Sequence, residues 1–135
     1  MNHDVKSCLE EEILQYVRTI VLDSLNIVTN EHVAIFPMEI DIYLPDLSIG
    51  IEVNGDYWHS DKVVKWNTGL TAEEYHRKKT YCCFDRGVQL LHIRESDWRS
   101  SRSDVEAVLC RVIGQALQDC WLKQDQKWVW EKCAD

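Results

Sequence analysis

Two short runs of strictly alternating residues, separated by a proline turn, restrict what this chain can fold into more than any other feature. In Glu39-Ile40-Asp41-Ile42-Tyr43-Leu44, extended backbone puts Ile40, Ile42 and Leu44 on one face and Glu39, Asp41 and Tyr43 on the other. Pro45-Asp46 reads as a turn. In the second run Ile49, Ile51 and Val53 share the core face, while Gly50, Glu52 and Asn54 face away. Strands joined this closely are most simply antiparallel, so Asp41 and Glu52 are expected on one open face of a hairpin.

Around the hairpin the pattern is mainly helical. Leu9, Ile13, Val17, Val21 and Leu25 recur every fourth residue behind a Ser7/Glu10 capping-box pattern, which predicts a helix over about 7–26. Val33 to Phe36 is apolar, β-prone and stopped by Pro37, a short strand on this reading. After Gly55 a polar loop runs to about Leu70; Thr71 and Glu74 then open a helix that reaches Arg86 and stops at Gly87. Val88 to Ile93 is nearly continuous apolar sequence, the pattern of a strand covered on both faces. With the preceding strand and helix it makes a right-handed βαβ unit. Ser103 and Glu106 cap a helix to about 121, followed by a Trp-rich tail over 122–135. The expected class is α/β (α+β), order αβββαβα, with a mixed sheet flanked by helices and a C-terminal helix. A length of 135 residues, 45% hydrophobic, suits one domain.

The net charge of −8 is unusual for a protein that grips phosphate. Its distribution matters more, because residues 61–102 carry +3 and the remainder −11. One face can therefore be basic, although a solvated charged face explains the same numbers. The six cysteines (Cys8, Cys82, Cys83, Cys110, Cys120, Cys133) form no CxxC, and polar Asn2, His3 and Asp4 follow Met1. Free thiols in a reducing cytoplasm are expected, with no signal peptide. No apolar run approaches the roughly 20 residues of a membrane span.

Carboxylates facing the same way in a half-buried hairpin repel each other, and a divalent cation relieves that repulsion. Asp41 and Glu52 offer the hard oxygen ligands that suit Mg²⁺, with Mn²⁺ as a substitute. Spacing alone also allows both to point into solvent. Trp58-His59, just past the glycine that ends the second strand, would sit at the rim of the same face. His76 and Lys79 lie three apart on the crossover helix and share its inner side. On this reading His59 is a general base or acid oriented by His76, and Lys79 stabilises phosphate charge. A solvated lysine within Arg77-Lys78-Lys79 is the plainer alternative.

The segment Glu39-Ile-Asp-Ile-Tyr-Leu-Pro, then Ile51-Glu-Val-Asn-Gly-Asp-Tyr-Trp-His-Ser, Tyr75-His-Arg-Lys-Lys-Thr and Gly87-Val-Gln-Leu-Leu-His-Ile, resembles the PD-(D/E)xK nuclease superfamily. The nearest branch holds very-short-patch-repair endonucleases and phage-borne homing endonucleases. The resemblance spans roughly residues 7–98 and implies a restriction-endonuclease-like αβββαβ core. It matches Asp41 to the metal-binding aspartate, Glu52 to the second acid and the Val53 carbonyl to a main-chain ligand. Asn54 stands where many relatives carry the motif lysine, and His59 matches the histidine that this branch uses instead. His76 falls where some relatives have an acidic partner for that histidine. Glu10 matches a glutamate of the N-terminal helix, a position its capping role explains equally well. The repair enzymes carry zinc beside the Trp-His pair; with no cysteine between Cys8 and Cys82, no zinc is expected here.

The expectation is a Mg²⁺-dependent endonuclease acting on DNA, of homing or repair type, from a phage or mobile element. Lys62, Lys65 and Arg99, with Trp58, are its expected nucleic-acid contacts. No helix-turn-helix or finger module is evident, which leaves low specificity, structure recognition or a separate specificity partner. Two alternatives stay open. One is a homodimeric junction resolvase using the Trp-rich tail; the other is an inert inhibitor or binding protein, suggested by Asn54 and an acidic surface able to mimic DNA.

Overall fold

The computed structural model describes residues 8–21, 23, 25–55 and 69–133. Helix α1 (Cys8–Ile20) buries Leu9, Ile13, Leu14 and Val17, with acidic Glu10 and Glu11 in its first turn and Arg18 in its last, as the helix dipole favours. Its proposed cap Ser7 lies outside the described residues. The helix stops at Ile20 and does not reach 26. Asp23 and Asn26 are of types that compete with helical hydrogen bonds, and the Asn26 N–H donates to Asp46 Oδ2 at 3.1 Å.

The first strand, β1, is Val28–Glu31 and not Val33–Phe36. Glu31 Oε1 accepts the N–H groups of Val33 (2.8 Å) and Ala34 (3.1 Å), which turns the chain just after the strand. Only Ile35 of that apolar run is buried; Val33 and Phe36 are left 76% and 70% exposed. High β-propensity there lacked a partner strand to act on.

Strand β2 (Ile40–Leu44), a 3₁₀ turn (Pro45–Leu47) and strand β3 (Ile49–Asn54) form the expected antiparallel hairpin. Ser48 closes the turn in the left-handed region at φ 53°. Ile42, Leu44, Ile49, Ile51 and Val53 enter the main core. Ile40 leaves this group and packs with Ile35, Cys83 and Val88.

Helix α2 (Ala72–Asp85) begins with the expected capping box: the Glu74 N–H donates to Thr71 Oγ1 and the Thr71 N–H to Glu74 Oε1. It ends where Gly87 adopts φ 74°, a conformation that favours glycine. Strand β4 (Gln89–Arg94) then pairs parallel with β3. The sheet order β1-β2-β3-β4 makes β4 an edge. Apolar residues of the strand pack on both faces, Leu91 and Ile93 in the main core and Leu90 against the Ile35/Ile40 cluster, but the edge position leaves Gln89, His92 and Arg94 exposed and only Ile93 fully buried.

A short helix α3 (Glu95–Ser100), absent from the sequence reading, follows β4 directly and buries Trp98 at 1% exposure. The Arg102 guanidinium lies 4.4 Å from the Trp98 ring. Helix α4 (Arg102–Cys133) starts slightly earlier than Ser103 and Glu106 suggested, because the Ser101 carbonyl accepts the Asp104 and Val105 N–H groups. Glu106 instead lies 3.4 Å from Arg102. The helix also runs through the expected tail to Cys133, since nothing after Gly114 is glycine or proline.

The result is an α+β fold with a four-stranded mixed open sheet and, among the described residues, four α-helices. Helices α1, α3 and α4 pack on the Ile42/Ile51 side, and α2 packs on the Glu52 side. Gly50 permits the close approach on the α2 side, where an added Cβ would meet Ile40 Cγ2 at 3.0 Å and Leu90 Cδ1 at 3.1 Å. Cys8, Cys82, Cys83, Cys110 and Cys120 are free thiols. No helix among the described residues is long and apolar enough to cross a membrane.

Candidate active site

Alternation in β3 turns Glu52 away from the main core, and the Ile42–Ile51 register, carried one residue further, sets Asp41 across from it. That face is not open, as the hairpin alone suggested. Helix α2 lies over it and leaves Glu52 only 2% exposed. Asp41 is half-buried, and its Oδ2 accepts the Val53 N–H at 2.8 Å. The observed contact of Val53 with the site is thus through its amide.

Lys79 completes the group from α2. It is 3% exposed, and its Nζ donates to Glu52 Oε1 at 2.7 Å. The Tyr75 ring, one turn earlier, lies 5.7 Å from the same nitrogen. Burial, reinforced by the Asp41 charge, pushes the Glu52 carboxyl up to about 8. Burial also raises Asp41, against the lowering influence of the Val53 N–H and Lys79. Burial, the largest single influence, would lower Lys79, but Glu52, Tyr75 and Asp41 together outweigh it and hold the ammonium above its ordinary value. Two acids and one ammonium therefore share a dry site, where one carboxylate retains a proton near neutral pH.

Glu52 Oε2 is buried and accepts no hydrogen bond, although Asp41 is near enough to share a proton with it. A divalent cation fits this donor set, since hard carboxylate oxygens with unmet charge are what such an ion satisfies. Among the described residues no group of three or more His, Cys, Asp or Glu side chains converges as a metal site. Asp41 and Glu52 would supply two ligands.

Beside the cluster, between α2 and β4, opens a groove of about 700 Å³ lined by Asn54, His76, Arg77, Thr80, His92 and Arg94 among others. Comparison with family models, with curated proteins and with solved structures gave no match. The His76 and His92 rings meet edge to face with centroids 5.6 Å apart. The Thr80 hydroxyl donates to the His76 carbonyl at 2.8 Å, so its 2.9 Å contact with His92 Nε2 requires that nitrogen to carry the hydrogen. Partial burial of the ring, then His76 and Lys79, push the His92 imidazole down to about 4. His76 is lowered too, by burial and then by Lys79 and Arg94.

Of the residues singled out from sequence, the fold brings Asp41, Glu52 and Lys79 together, with Asn54 and His76 on the adjoining groove. Glu10 stands in the first turn of α1, on a helix packed against the opposite side of the sheet. Arg99 is engaged by Glu12 at 2.8 Å and lies 3.9 Å from Glu95. His59, Trp58, Lys62 and Lys65 lie outside the described residues. The sequence reading missed His92, which the parallel register places beside Glu52. Alternation in Leu90-Leu91-His92-Ile93 was the available signal, because it sets His92 opposite in facing to Ile93.

Proposed function

We propose that this protein is a divalent-cation-dependent endonuclease that hydrolyses phosphodiester bonds in DNA. The observation that carries this reading is the contact of Lys79 with Glu52 beside Asp41, since two acids and an amine are the side-chain chemistry such hydrolysis needs. The motif lysine is missing at Asn54, and a lysine from the crossover helix takes its place. Support for a restriction-endonuclease-like core comes from the order α1-β1-β2-β3-α2-β4, with the acids on β2 and β3. A Mg²⁺ or Mn²⁺ ion held by Asp41 and Glu52 would polarise the phosphodiester and make water more acidic.

The chain's own groups divide the remaining work. Lys79 holds Glu52 in position and supplies positive charge where negative charge develops on phosphate. His59 is the proposed general base or acid, oriented by His76. Burial under α2 excludes bulk water and strengthens each of these interactions. Homing, repair and junction-resolving roles share this chemistry and differ in the DNA presented. The inert-inhibitor reading rested on the missing lysine and on the net charge of −8; Lys79 supplies an amine and weakens the first support, while the second stands.

The test is cleavage of plasmid, branched and single-stranded substrates with Mg²⁺ or Mn²⁺, against EDTA and Asp41→Asn controls. Metal-dependent cutting that disappears in Asp41→Asn is expected. Cutting undiminished by that substitution, or no cutting of any substrate, overturns the assignment.

A further inference from the structure

Asp41, Glu52 and Lys79 account for the chemistry at one phosphate but leave the neighbouring groove unexplained. It opens where the parallel pair ends, since Asn54 and Arg94 are register partners at the C-terminal ends of β3 and β4. In α/β units, the crevice beyond such strand ends is where ligands bind. Asn54 lies two residues past Glu52, or about 7 Å along the strand. That separation suits a neighbouring phosphate and not the reacting one.

The lining is rich in nitrogen donors. Arg94 projects from the edge strand, is exposed, and forms no ion pair among the described residues. Across from it on α2 stands Arg77, 61% exposed, which pairs with Glu73 at 2.7 Å. A guanidinium has five N–H donors, so this bond leaves others for a ligand. Thr80 and His92, also in the lining, are already joined to each other. Among the described residues that line the groove, two arginines stand against one acid, Glu73, which Arg77 already pairs. Guanidinium groups in such a setting match the planar, multidentate recognition of phosphate oxygens.

We propose that this groove binds a phosphodiester of the nucleic-acid strand next to the one cut, with Arg94 as principal contact and Arg77 as the second. The inference rests on the nuclease reading of the Asp41–Glu52–Lys79 cluster. It adds a backbone contact outside the +3 stretch's lysines and replaces Arg99, which Glu12 occupies, as the arginine that meets the strand. Backbone contacts of this kind set the register of the strand without reading its bases.

The experiment measures binding of labelled oligonucleotides, as DNA and as RNA of the same sequence, to wild type, Arg94→Gln and Arg94→Lys across a salt series. Equal melting temperatures verify that the variants fold. Arg94→Gln is expected to weaken binding about tenfold, the worth of one charge-assisted hydrogen bond. It should also lower the salt slope by about 1, the signature of one lost phosphate contact. Arg94→Lys should restore most of both, and the arm with the larger Arg94 effect identifies the strand. If Arg94→Gln binds like wild type with an unchanged slope while wild type cleaves, the groove assignment is overturned and the nuclease reading stands. Binding that depends on Arg94 without any cleavage supports the groove and overturns the nuclease. A wild type that binds neither strand overturns both.

Discussion

Lys79 Nζ lies 2.7 Å from Glu52 Oε1, with both side chains only 3% exposed, although 27 residues separate them in the chain. An ion pair this dry is costly to assemble and more costly to break, since removing one partner leaves the other charged and unsolvated. Lys79→Met should therefore destabilise the fold by about 3 kcal/mol, at the low end for a broken buried pair because the Asp41–Glu52 pair already keeps a proton near neutral pH and strands less charge. Denaturant unfolding measures this. Combining Lys79→Met with Glu52→Gln should recover part of the stability and none of the cleavage. If Lys79→Met unfolds like wild type, the pair does not exist in solution.

The pH dependence of stability has a definite sign. Glu52 is raised to about 8 in the fold from an ordinary value of 4.5, so the folded chain holds more protons than the unfolded one between those values. Its contribution to stability is fully present below pH 4.5 and is lost as pH rises through about 8. In EDTA the melting temperature should fall over that interval, and Glu52→Gln should flatten the fall. A wild-type profile that rises instead between pH 5 and 8, with no difference in the variant, rejects the raised carboxyl.

Metal binding should act against the same destabilisation. An ion that satisfies Asp41 and Glu52 binds the folded state alone, so Mg²⁺ or Mn²⁺ should raise the melting temperature by mass action. The rise should be larger at pH 8 than at pH 6, because Glu52 must give up its proton to ligate. Asp41→Asn should largely abolish it. An undiminished shift in Asp41→Asn places the ion elsewhere.

Proton handling separates His59 from Lys79. An amide at Asn54 cannot take a proton from water, whereas an imidazole with an unperturbed pKa of about 6.5 can. His59→Ala should lower the cleavage rate by about 10²–10⁴ while leaving nucleic-acid and metal binding intact. Lys79→Ala should also lower it, together with the metal-induced thermal shift, because Lys79 touches a ligand. Unchanged cleavage in His59→Ala, alongside a severe loss in Lys79→Ala, would transfer the histidine's role to the lysine.

Local spacing determined a good part of this protein. Alternation over residues 39–54 specifies the hairpin and puts Asp41 and Glu52 on one face. Thr71 and Glu74 mark the start of α2, and Gly87 its end, because caps and left-handed turns depend on a few neighbouring residues. Lys79 and His76 were legible as candidates on one helical face. What touches what was not legible, because it depends on sheet order and on groups far apart in the chain. Val33 to Phe36 has strand-like composition, yet Glu31 caps the turn there and the strand forms upstream. The apolar run at Val88 to Ile93 packs on both faces, yet β4 ends the sheet and leaves Gln89, His92 and Arg94 exposed. The carboxylate face read as open is closed by α2, and His92 joins the site through its parallel pairing with Glu52. Periodicity reports which way a side chain points; whether water, a lysine or another strand waits there is settled by packing the apolar faces of distant elements against one another.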